Sequence, residues 1–368
     1  MSALPKPQKA NRFLLTLVLI MTGIGFLMFT SAAMGTLSHN IHIFNLLVSK
    51  QFIILIFGLC LMVVTSHIPY PKWRQWALYF FGFGLLATLA VWVPSLGSTL
   101  GGANRWLNIA GFSFQPAEIL KIAYVIYLAG WLASVKDNIE EIKASIIPAV
   151  IITALTIGVL ALQPDYGTIL VITVSGGAIL LASRARYFHL FVLGFIGLLI
   201  ITTMAWQSTY IQYRIQTFLN PGENLQTTGY QIDQSIIAIG SGGLTGRGFG
   251  QSLQKFEFLP QPIADSIFAV VAEEFGFIGS FILIFLYAML ACIGIKIASK
   301  AKDDFGRLLA IGIVILIVSQ SFINIGAMIG LLPLSGLPLI FVSHGGTALL
   351  LSLMSIGILL NISKYQKK

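Results

Sequence analysis

The sequence predicts an all-α membrane protein with ten transmembrane helices, in a single domain that covers residues 1–368. Of the 368 residues, 57% are hydrophobic and only 10% are charged, and the mean hydropathy is +0.89. Several apolar runs approach the length of about 20 residues that an α-helix needs to cross a hydrocarbon core of roughly 30 Å. These runs are too long for strands and do not alternate as barrel strands do, so helices are the predicted spanning elements.

The ten predicted spans follow one another with a single long interruption. The first span is preceded by Lys6, Lys9 and Arg12 and lacks a small-residue cleavage site, so it is predicted to remain as a helix. The interruption is an extracytoplasmic loop over about residues 207–266, between the seventh and eighth helices, which caps one end of the bundle. The spans cover residues 13–30, 52–65, 76–92, 117–135, 144–161, 166–182, 188–206, 267–295, 308–329 and 337–362.

The basic residues are distributed unevenly between the two ends of the predicted helices. If the N terminus is cytoplasmic, 16 of the 22 Lys and Arg residues fall in cytoplasmic segments, and one, Lys121, falls within a span. This asymmetry follows the positive-inside rule and predicts that both termini are cytoplasmic. It accounts for most of the net charge of +9, so the charge does not indicate a nucleic acid partner. The basic residues on the other side are Lys50, Arg105, Arg214, Arg247 and Lys255.

The cysteines and histidines do not indicate a metal site or a disulfide. Cys60 and Cys292 both lie in apolar spans without a CxxC motif, and they are predicted to be packing residues. The five histidines are scattered, and none has metal-ligand spacing to another His, Cys or carboxylate. A zinc enzyme is therefore not predicted.

The long loop collects ionisable groups in a chain that has few of them, so chemistry on a charged lipid substrate is expected at this membrane face. Residues 231–243 form a short apolar stretch, which suits a re-entrant or interfacial helix better than a crossing. Residues 244–250 read LTGRGFG, and their glycines either let the backbone approach a ligand or form a plain flexible turn. The ionisable residues of the loop include Arg214, Asp233, Arg247, Lys255, Glu257 and Asp265.

Four segments of the chain carry motifs in a recognisable order. Residues 251–276, QSLQKFEFLPQPIADSIFAVVAEEFG, resemble the signature of the SEDS family, the FtsW and RodA peptidoglycan polymerases. Three further segments are similar to other motifs of that family. They are NRW at 104–106 with FQPAEILK at 114–121, QPDYGT at 163–168, and NIGAMIGLLPLSGLPLIFVSHGGT at 324–347. The resemblance covers essentially the whole chain and is closer to FtsW than to RodA.

The chain departs from the family pattern around one aspartate. Where the family usually has LPE-x-H-T-D-F, residues 259–266 read LPQPIADS, so Asp265 is retained while the neighbouring Glu, His, Thr and Phe are replaced. His344 stands where the family has Tyr, and it is assigned no catalytic role.

The resemblance implies an inverting peptidoglycan glycosyltransferase that serves cell division or cell shape in the bacterial cytoplasmic (inner) membrane. Its substrate would be lipid II: the 4-hydroxyl of one sugar attacks the anomeric carbon of another and expels undecaprenyl pyrophosphate. This chemistry needs a carboxylate general base and cations that bind the pyrophosphate. Asp265 is the expected base. The expected substrate-binding cations are Arg105, Arg214, Arg247 and Lys255.

The resemblance also implies partners, namely a class B penicillin-binding protein that supplies transpeptidation and other membrane proteins of the divisome or elongasome. Two rival functions remain open from the residues. A lipid II transporter would also need ten or more helices and intramembrane charge, whereas a noncatalytic scaffold would need only surfaces. No cofactor is certain, although a divalent cation, Mg²⁺ or Mn²⁺, at Asp265 is one expectation.

The candidate carboxylates also have structural interpretations. Asp265 precedes a helix that starts near Ile267, so it would serve as an N-cap, with or without a catalytic role. Glu273 and Glu274 lie two turns further along, about 12 Å from Asp265 at a rise of about 1.5 Å per residue. They are expected to shape the helix end or a cavity, and the alternative is that one of them holds a divalent cation together with Asp265.

Further ionisable residues lie in or beside other predicted spans. Glu118 and Lys121 are three residues apart, on one face of the fourth span, where charge is costly unless it is paired or hydrated. A structural ion pair is favoured, and the rival is the lining of a polar cavity. Asp165 follows Gln163 and Pro164 at a predicted helix start, where helix capping and function are equally open.

Overall fold

The computed structural model describes residues 7–366, apart from 38–39, 94, 96, 101–102, 110–111, 184–208 and 220–227. The described chain is mostly helical. Its helices are α1 (Arg12–Ala33), α2 (Ile41–His67), α3 (Tyr70–Leu89), α4 (Pro116–Ser134), α5 (Ile147–Ala161), α6 (Tyr166–Ala182), α7 (Thr209–Leu219), α8 (Thr228–Ser241), α9 (Ile267–Ser299), α10 (Asp304–Met328) and α11 (Gly346–Ser363). Its strands are β1 (Gly97–Leu100), β2 (Ala103–Ile109) and β3 (Phe112–Phe114).

Within the described residues, eight helices are long and apolar enough to cross a membrane. They coincide with the predicted first to fifth and eighth to tenth spans. Helix α6 stands at the predicted sixth span and is apolar, but it is only 17 residues long. The predicted seventh span, at 188–206, lies outside the described residues. The prediction of a mostly helical protein with several membrane spans is therefore confirmed.

A small sheet corrects the all-α prediction. Between α3 and α4 lies a three-stranded antiparallel sheet in the order β1-β2-β3. Leu107 of β2 pairs with Gly97 on one side and with Phe114 on the other. In the sequence, only Gly-Gly at 101–102 separates the first two strands, which is a hairpin signal. The sequence prediction missed the sheet because it assigned every ordered segment to a helix.

The interior of the bundle is built from α4, α10 and α11, which are the most buried of the spanning helices. Helix α10 packs against α4, α6 and α9, whereas α2 packs on α11 and leaves most of its surface exposed. Cys60 on α2 and Cys292 on α9 are free and exposed. The prediction that these two cysteines pack in the interior is therefore wrong, because an apolar span presents one face to the lipid.

The tenth predicted span is shortened at its start by an irregular segment at residues 329–345. Helix α11 begins at Gly346 rather than at residue 337. Pro333 and Pro338 lie in this segment, where they interrupt a helical path because proline has no backbone N–H. The segment packs closely on α1, since a Cβ atom at Gly25 would lie 1.9 Å from the carbonyl oxygen of Phe341. The segment brings the backbone carbonyl of Leu334 to Arg214 and those of Leu337 and Pro338 to α10.

Candidate active site around Asp265

Asp265 lies immediately before α9, which is a short helical segment joined to a longer one. Gly276 has φ 63° and ψ −160°, a left-handed backbone conformation that interrupts the helical path. Residues 267–275 therefore form a half-helix that is nearly all buried. The half-helix determines where the carboxyl group of Asp265 lies.

The glycine-rich segment 244–250 packs against the break in α9. The N–H group of Arg247 donates to the carbonyl oxygen of Glu273 at 3.0 Å. A Cβ atom at Gly246 would lie 2.2 Å from the carbonyl oxygen of Glu274, so only glycine allows this approach. The backbone groups freed by the break are thus bonded by this segment. Of the two sequence interpretations, ligand approach and flexible turn, neither describes this contact, which is between two parts of the backbone.

The side chain of Asp265 does not cap α9. Ser266 occupies the N-cap position, and no side chain caps the helix. Ser266 Oγ instead donates to the carbonyl oxygen of Pro260 at 2.7 Å and accepts from Gln231 Nε2 at 2.9 Å. Asp265 Oδ1 is buried and has no hydrogen bond partner in the described part of the chain. The structural alternative of an N-cap is therefore wrong for Asp265.

Burial raises the pKa of the Asp265 carboxyl above its ordinary value of 3.8, because a low-dielectric environment disfavours the charged form. The nearby amide of Gln231 and the positive charge of Arg214 lower the pKa and oppose this larger effect. A carboxylate with a raised pKa is a better proton acceptor near neutral pH. The electrostatics of Asp265 therefore suit a general base.

Arg214, on α7, belongs to the same cluster as Asp265. Its Nη1 donates to the carbonyl oxygen of Leu334, in the irregular segment before α11. A Cβ atom at Gly336 would lie 3.9 Å from its Nη2. Its positive charge lowers the pKa of the Asp265 carboxyl. Two of the predicted site residues, a carboxylate and a cation, are thus brought together.

Asn324, on α10, joins this cluster although the sequence analysis did not single it out. Its Nδ2 donates to the carbonyl oxygens of Asp265 and Leu337, at 2.8 and 2.7 Å. Gln320, one helical turn earlier, donates to the carbonyl oxygen of Pro338 at 3.2 Å. Two amide side chains four residues apart inside an apolar span are expensive unless they are bonded, which was the available sequence signal.

Lys255 is buried in an ion pair within the protein. Its Nζ donates to Ser31 Oγ at 3.0 Å, to the carbonyl oxygen of Gly250 at 2.8 Å and to Glu274 Oε1 at 2.8 Å. An ammonium group has three N–H bonds, so all of them are used. Lys255 therefore ties its loop to α1 and to the far end of the half-helix.

Glu273 is bonded from several sides at the same end of the half-helix. Ser252 Oγ donates to Glu273 Oε2 at 2.5 Å, and the N–H groups of Leu253 and Gln254 donate to the carboxylate at 3.0 and 3.3 Å. Arg247 Nε lies 3.5 Å from Glu273 Oε1, while the Arg247 side chain remains 38% exposed. The Glu273 carboxylate thus anchors the loop to the half-helix.

Arg105 and Asp165 lie together at the turn between α5 and α6. Arg105, on β2, donates from Nε to the carbonyl oxygen of Gln163 at 3.1 Å and from Nη2 to that of Pro164. Asp165 is the N-cap residue of α6, and its Oδ1 accepts from the N–H group of Thr168 at 3.3 Å. The contacts of Asp165 are therefore those of a helix cap.

Glu118 and Lys121 form a buried ion pair in α4, with Nζ and Oε1 2.8 Å apart. Lys121 Nζ also donates to Gln320 Oε1. Since Gln320 also bonds the carbonyl oxygen of Pro338, the ion pair is connected to the irregular segment that holds Arg214. The structural ion pair favoured by the sequence describes these contacts.

The described residues contain no group of three or more His, Cys, Asp or Glu side chains placed to hold a metal ion. Glu273 is committed to Ser252 and its neighbours, which argues against a cation shared between Glu273 and Asp265. Among the described residues, Asp265 Oδ1 and Glu274 Oε2 are the buried carboxylate oxygens that have no hydrogen bond partner.

The chain is similar to known proteins over nearly its full length. The model of the FtsW, RodA and SpoVE family, described as "Cell cycle protein", matches residues 11–368. The chain is 35% identical over 350 residues to the probable peptidoglycan glycosyltransferase FtsW of Trichlorobacter lovleyi, covering 95% of this chain and 92% of that protein. It is 34% identical over 362 residues to the stage V sporulation protein E of Bacillus subtilis, with 98% and 99% of the two chains covered.

Solved structures share the fold. A chain of a structure that describes coordination of polymerization and crosslinking by a peptidoglycan synthase complex superimposes with a TM-score of 0.80 at 24% identity, covering 97% of this chain and 99% of that one. The rod shape determining protein RodA of Thermus thermophilus superimposes with a TM-score of 0.70 at 24% identity, covering 97% and 98%. Together with the family match over residues 11–368 and the relatives above 30% identity, this establishes that the chain belongs to the FtsW, RodA and SpoVE family of cell cycle proteins.

Proposed function

We propose that this chain is an inverting peptidoglycan glycosyltransferase that polymerises lipid II into glycan strands and releases undecaprenyl pyrophosphate. Relatives named as probable peptidoglycan glycosyltransferases support this activity. The observation that carries the proposal is the Asp265 carboxyl, whose Oδ1 is buried without a partner among the described residues and beside the charge of Arg214. A base next to a cation is what transfer to a hydroxyl with a pyrophosphate leaving group requires.

In the proposed reaction, Asp265 takes the proton of the 4-hydroxyl of the acceptor sugar while that oxygen bonds to the anomeric carbon of the donor. Such proton removal typically contributes about 10²–10⁴-fold to a rate. The bond between the anomeric carbon and the pyrophosphate oxygen breaks, and undecaprenyl pyrophosphate leaves with the electron pair. Because the donor linkage is α and the glycan linkage is β, one displacement with inversion suffices, and no enzyme nucleophile is needed.

In this proposal, arginine side chains near Asp265 and in neighbouring loops bind the pyrophosphate. Arg214 is the first of them, because its charge already acts on Asp265. Arg247 is included because its side chain is partly exposed. Arg105 is included because it bonds the turn before α6. Helix α6 lies against the segment that Arg214 bonds, since a Cβ atom at Gly167 would be 2.8 Å from the carbonyl oxygen of Ser335. Lys255 is left out, since its three N–H bonds are used within the protein.

A divalent cation, Mg²⁺ or Mn²⁺, would assist the leaving group. Asp265 Oδ1 offers one oxygen ligand, and Mg²⁺ usually completes its shell with substrate phosphates and water. Such a cation would neutralise charge that develops on the pyrophosphate. Polymerisation measured in a chelator and then with Mg²⁺ or Mn²⁺ restored tests this role, since loss and recovery are expected only if a cation takes part.

The proposed topology places ten helices in the bacterial inner membrane, with the seventh at 188–206, both termini in the cytoplasm and the loop at 207–266 outside. The asymmetry of the basic residues supports this orientation. Reporter fusions near Asp303 and at Lys368 should read inside, and a fusion near Asn224 should read outside. Positions 224 and 368 lie outside the described residues. An inside reading at Asn224 would contradict both the topology and the site.

The proposed partner is a class B penicillin-binding protein, which would crosslink the strands as they form, within the divisome or elongasome. The fold shared with a chain of a peptidoglycan synthase complex supports this pairing. The resemblance to FtsW, together with relatives of that name, favours a role in cell division.

The decisive experiment incubates the purified protein with labelled lipid II and resolves the products on a gel. A ladder of glycan strands is the expected result. Movement of intact lipid II across vesicle membranes without polymer would indicate a transporter instead. Neither polymer nor transport, with retained binding of the penicillin-binding protein, would indicate a scaffold and overturn the proposed activity.

A further inference from the structure

Asn324 is a buried asparagine whose two polar atoms are used unequally. It is only 1% exposed. Its Nδ2 donates to the carbonyl oxygens of Asp265 and Leu337, which uses both of its N–H bonds. Its Oδ1 is buried and accepts no hydrogen bond from the described residues. Asn324 therefore holds the backbone of Asp265 with one atom and presents an unused acceptor with the other.

The orientation of the Asn324 amide follows from its partners. Both partners are carbonyl oxygens, which accept hydrogen bonds and never donate them. Exchanging the amide nitrogen and oxygen would place Oδ1 against two carbonyl oxygens and would break both bonds. Oδ1 therefore faces away from these carbonyls, and an amide flip does not satisfy it.

Asp265, whose backbone carbonyl Asn324 holds, carries a second unused acceptor. Its Oδ1 is likewise buried and without a partner among the described residues. A matched asparagine at the opposite end of the bundle differs: Asn361 Oδ1 accepts from the N–H group of Tyr70 at 2.8 Å, and its Nδ2 donates to the carbonyl oxygen of Ser66 at 2.8 Å. Asn361, which joins two backbone segments, is thus bonded through both of its polar atoms, whereas Asn324 is bonded through one.

We propose that Asn324 is a second substrate-binding residue, whose Oδ1 accepts a hydrogen bond from the hydroxyl adjacent to the attacking hydroxyl of the acceptor sugar. Asn324 and Asp265 are joined by a hydrogen bond, so one acceptor oxygen on each residue suits two hydroxyl groups on adjacent carbons of a sugar. On the terminal N-acetylglucosamine of lipid II these donors are the 4-hydroxyl, which attacks, and the 3-hydroxyl. This inference rests on the proposed function and adds a selectivity for an acceptor with a free vicinal diol.

The charges around Asn324 favour a neutral hydroxyl over an ammonium group. Arg214 acts electrostatically on Asp265, so it would repel an ammonium group placed between Asp265 and Asn324. The amide oxygen of Asn324 is uncharged and does not compete with Asp265 for the proton. It orients the sugar, so that the lone pair of the 4-hydroxyl oxygen points at the donor while Asp265 takes its proton.

The test is a thermodynamic cycle that combines a change in the Asn324 side chain with a change in the substrate. The quantity measured is the affinity for the lipid. The parent protein is the Asp265→Asn variant, which is expected not to turn over substrate and retains an acceptor oxygen at that position. The parent and its Asn324→Leu derivative each bind lipid II and an analogue whose terminal sugar lacks the 3-hydroxyl. The parent is expected to bind the analogue about tenfold more weakly, and the Leu derivative to bind both lipids nearly equally.

Two further variants separate this role from a structural one. Asn324→Asp keeps an oxygen in place of Oδ1 and is expected to retain the preference for lipid II, but at lower stability, because its second oxygen faces the carbonyl oxygens of Asp265 and Leu337. Asn361→Leu removes a buried asparagine of similar burial, so it should lower stability while leaving the tenfold preference unchanged. If Asn324→Leu does not fold, Asn324→Ser serves instead, because its hydroxyl is too short to replace Oδ1.

An equal preference in the parent and in the Asn324→Leu or Asn324→Ser derivative would overturn the inference. A parent that does not distinguish the two lipids would overturn it as well, and would assign Oδ1 to a structural water. Polymer formation by the unmodified protein is measured in parallel. Absence of polymer together with an intact preference would overturn the glycosyltransferase proposal and leave the sugar-binding site standing.

Discussion

Asp265 and Glu273 are carboxylates at the two ends of one buried half-helix, and their surroundings differ. Glu273 is fully buried and accepts from a serine hydroxyl and two backbone N–H groups, with an arginine alongside. Asp265 leaves Oδ1 without a donor among the described residues, and burial raises its pKa. Because both oxygens of Glu273 accept hydrogen bonds, protonation of this carboxylate would disturb at least one of them. The comparison therefore separates an anchor from a reactive group.

The effect of each carboxylate on the free energy of unfolding supports the same distinction. A buried acceptor without a partner costs roughly 1–3 kcal/mol, whereas hydrogen bonds to a charged group stabilise by about 1.5–3 kcal/mol each. Glu273 thus contributes stability, and Asp265 reduces it. Local departures of this kind are expected at functional sites, where stability is given up for reactivity.

The sharpest way to break the comparison is Asp265→Asn. Polymerisation should fall by about 10² or more, because an amide cannot act as a general base. Thermal stability and lipid II binding should be unchanged or improved. The measurement is the rate of polymer formation from labelled lipid II, with and without a divalent cation.

Asp303→Asn is the matched control for this substitution. Asp303 is the N-cap of α10, and its Oδ1 accepts from the N–H group of Gly306 at 2.8 Å. Asparagine caps helices as well as aspartate does, so activity should stay near the wild-type rate. Polymerisation by Asp265→Asn at that same rate would remove Asp265 as the base and direct attention to Asp233 or Glu257.

Glu273→Gln tests the other half of the comparison. The new amide nitrogen would face N–H and O–H donors, so at least one hydrogen bond to a charged group is lost. A loss of about 1.5–3 kcal/mol in unfolding free energy is expected, with a near-normal rate in the fraction that folds. The measurement is thermal unfolding in detergent alongside polymerisation. A normal stability with a large loss of rate would assign chemistry to Glu273 and contradict the distinction.

The helices were the predictable part of the fold, because a membrane span depends on the length and apolarity of one continuous segment. The small sheet and the break at Gly276 depend instead on backbone bonds between segments. At the break, the N–H group of Phe277 bonds the carbonyl oxygen of Gly243, and no periodicity within α9 records that contact. The break and the glycine-rich segment therefore look like separate features in the sequence, although their backbones are hydrogen-bonded in the fold.

The candidate site divides in the same way. Asp265 and Arg214 were identified from a cluster of charge in a loop, which composition alone reveals. Lys255 belonged to that cluster in the sequence, but its burial depends on Ser31 of α1, which is distant along the chain. Asn324 was not identified, since its bonds depend on how the irregular segment at 329–345 folds.

Arg214→Ala sharpens the account of what surrounds the reactive carboxylate. If Arg214 binds the pyrophosphate in both the bound substrate and the transition state, its loss raises KM for lipid II with little change in kcat. An increase of about tenfold is expected, equivalent to about 1.4 kcal/mol. Arg214→Lys retains the charge and should show a smaller increase. A fall in kcat at constant KM would place Arg214 in the chemical step and not in binding.

The smallest expected effect is a pH dependence of stability that belongs to Asp265 and not to Glu273. The folded pKa of Asp265 is raised above 3.8, so its carboxyl favours folding at low pH, and this contribution is lost as pH rises through the folded pKa. Asp265→Asn should therefore match the wild type near pH 4, within the range of ordinary carboxyl pKa values, and become the more stable protein as pH rises. Unfolding temperatures of both proteins across this range provide the measurement, and Glu257→Gln, at an exposed carboxylate, controls for the loss of one charge. A constant difference between the two proteins, or one that shrinks with rising pH, would contradict the raised pKa on which the assignment of a general base depends.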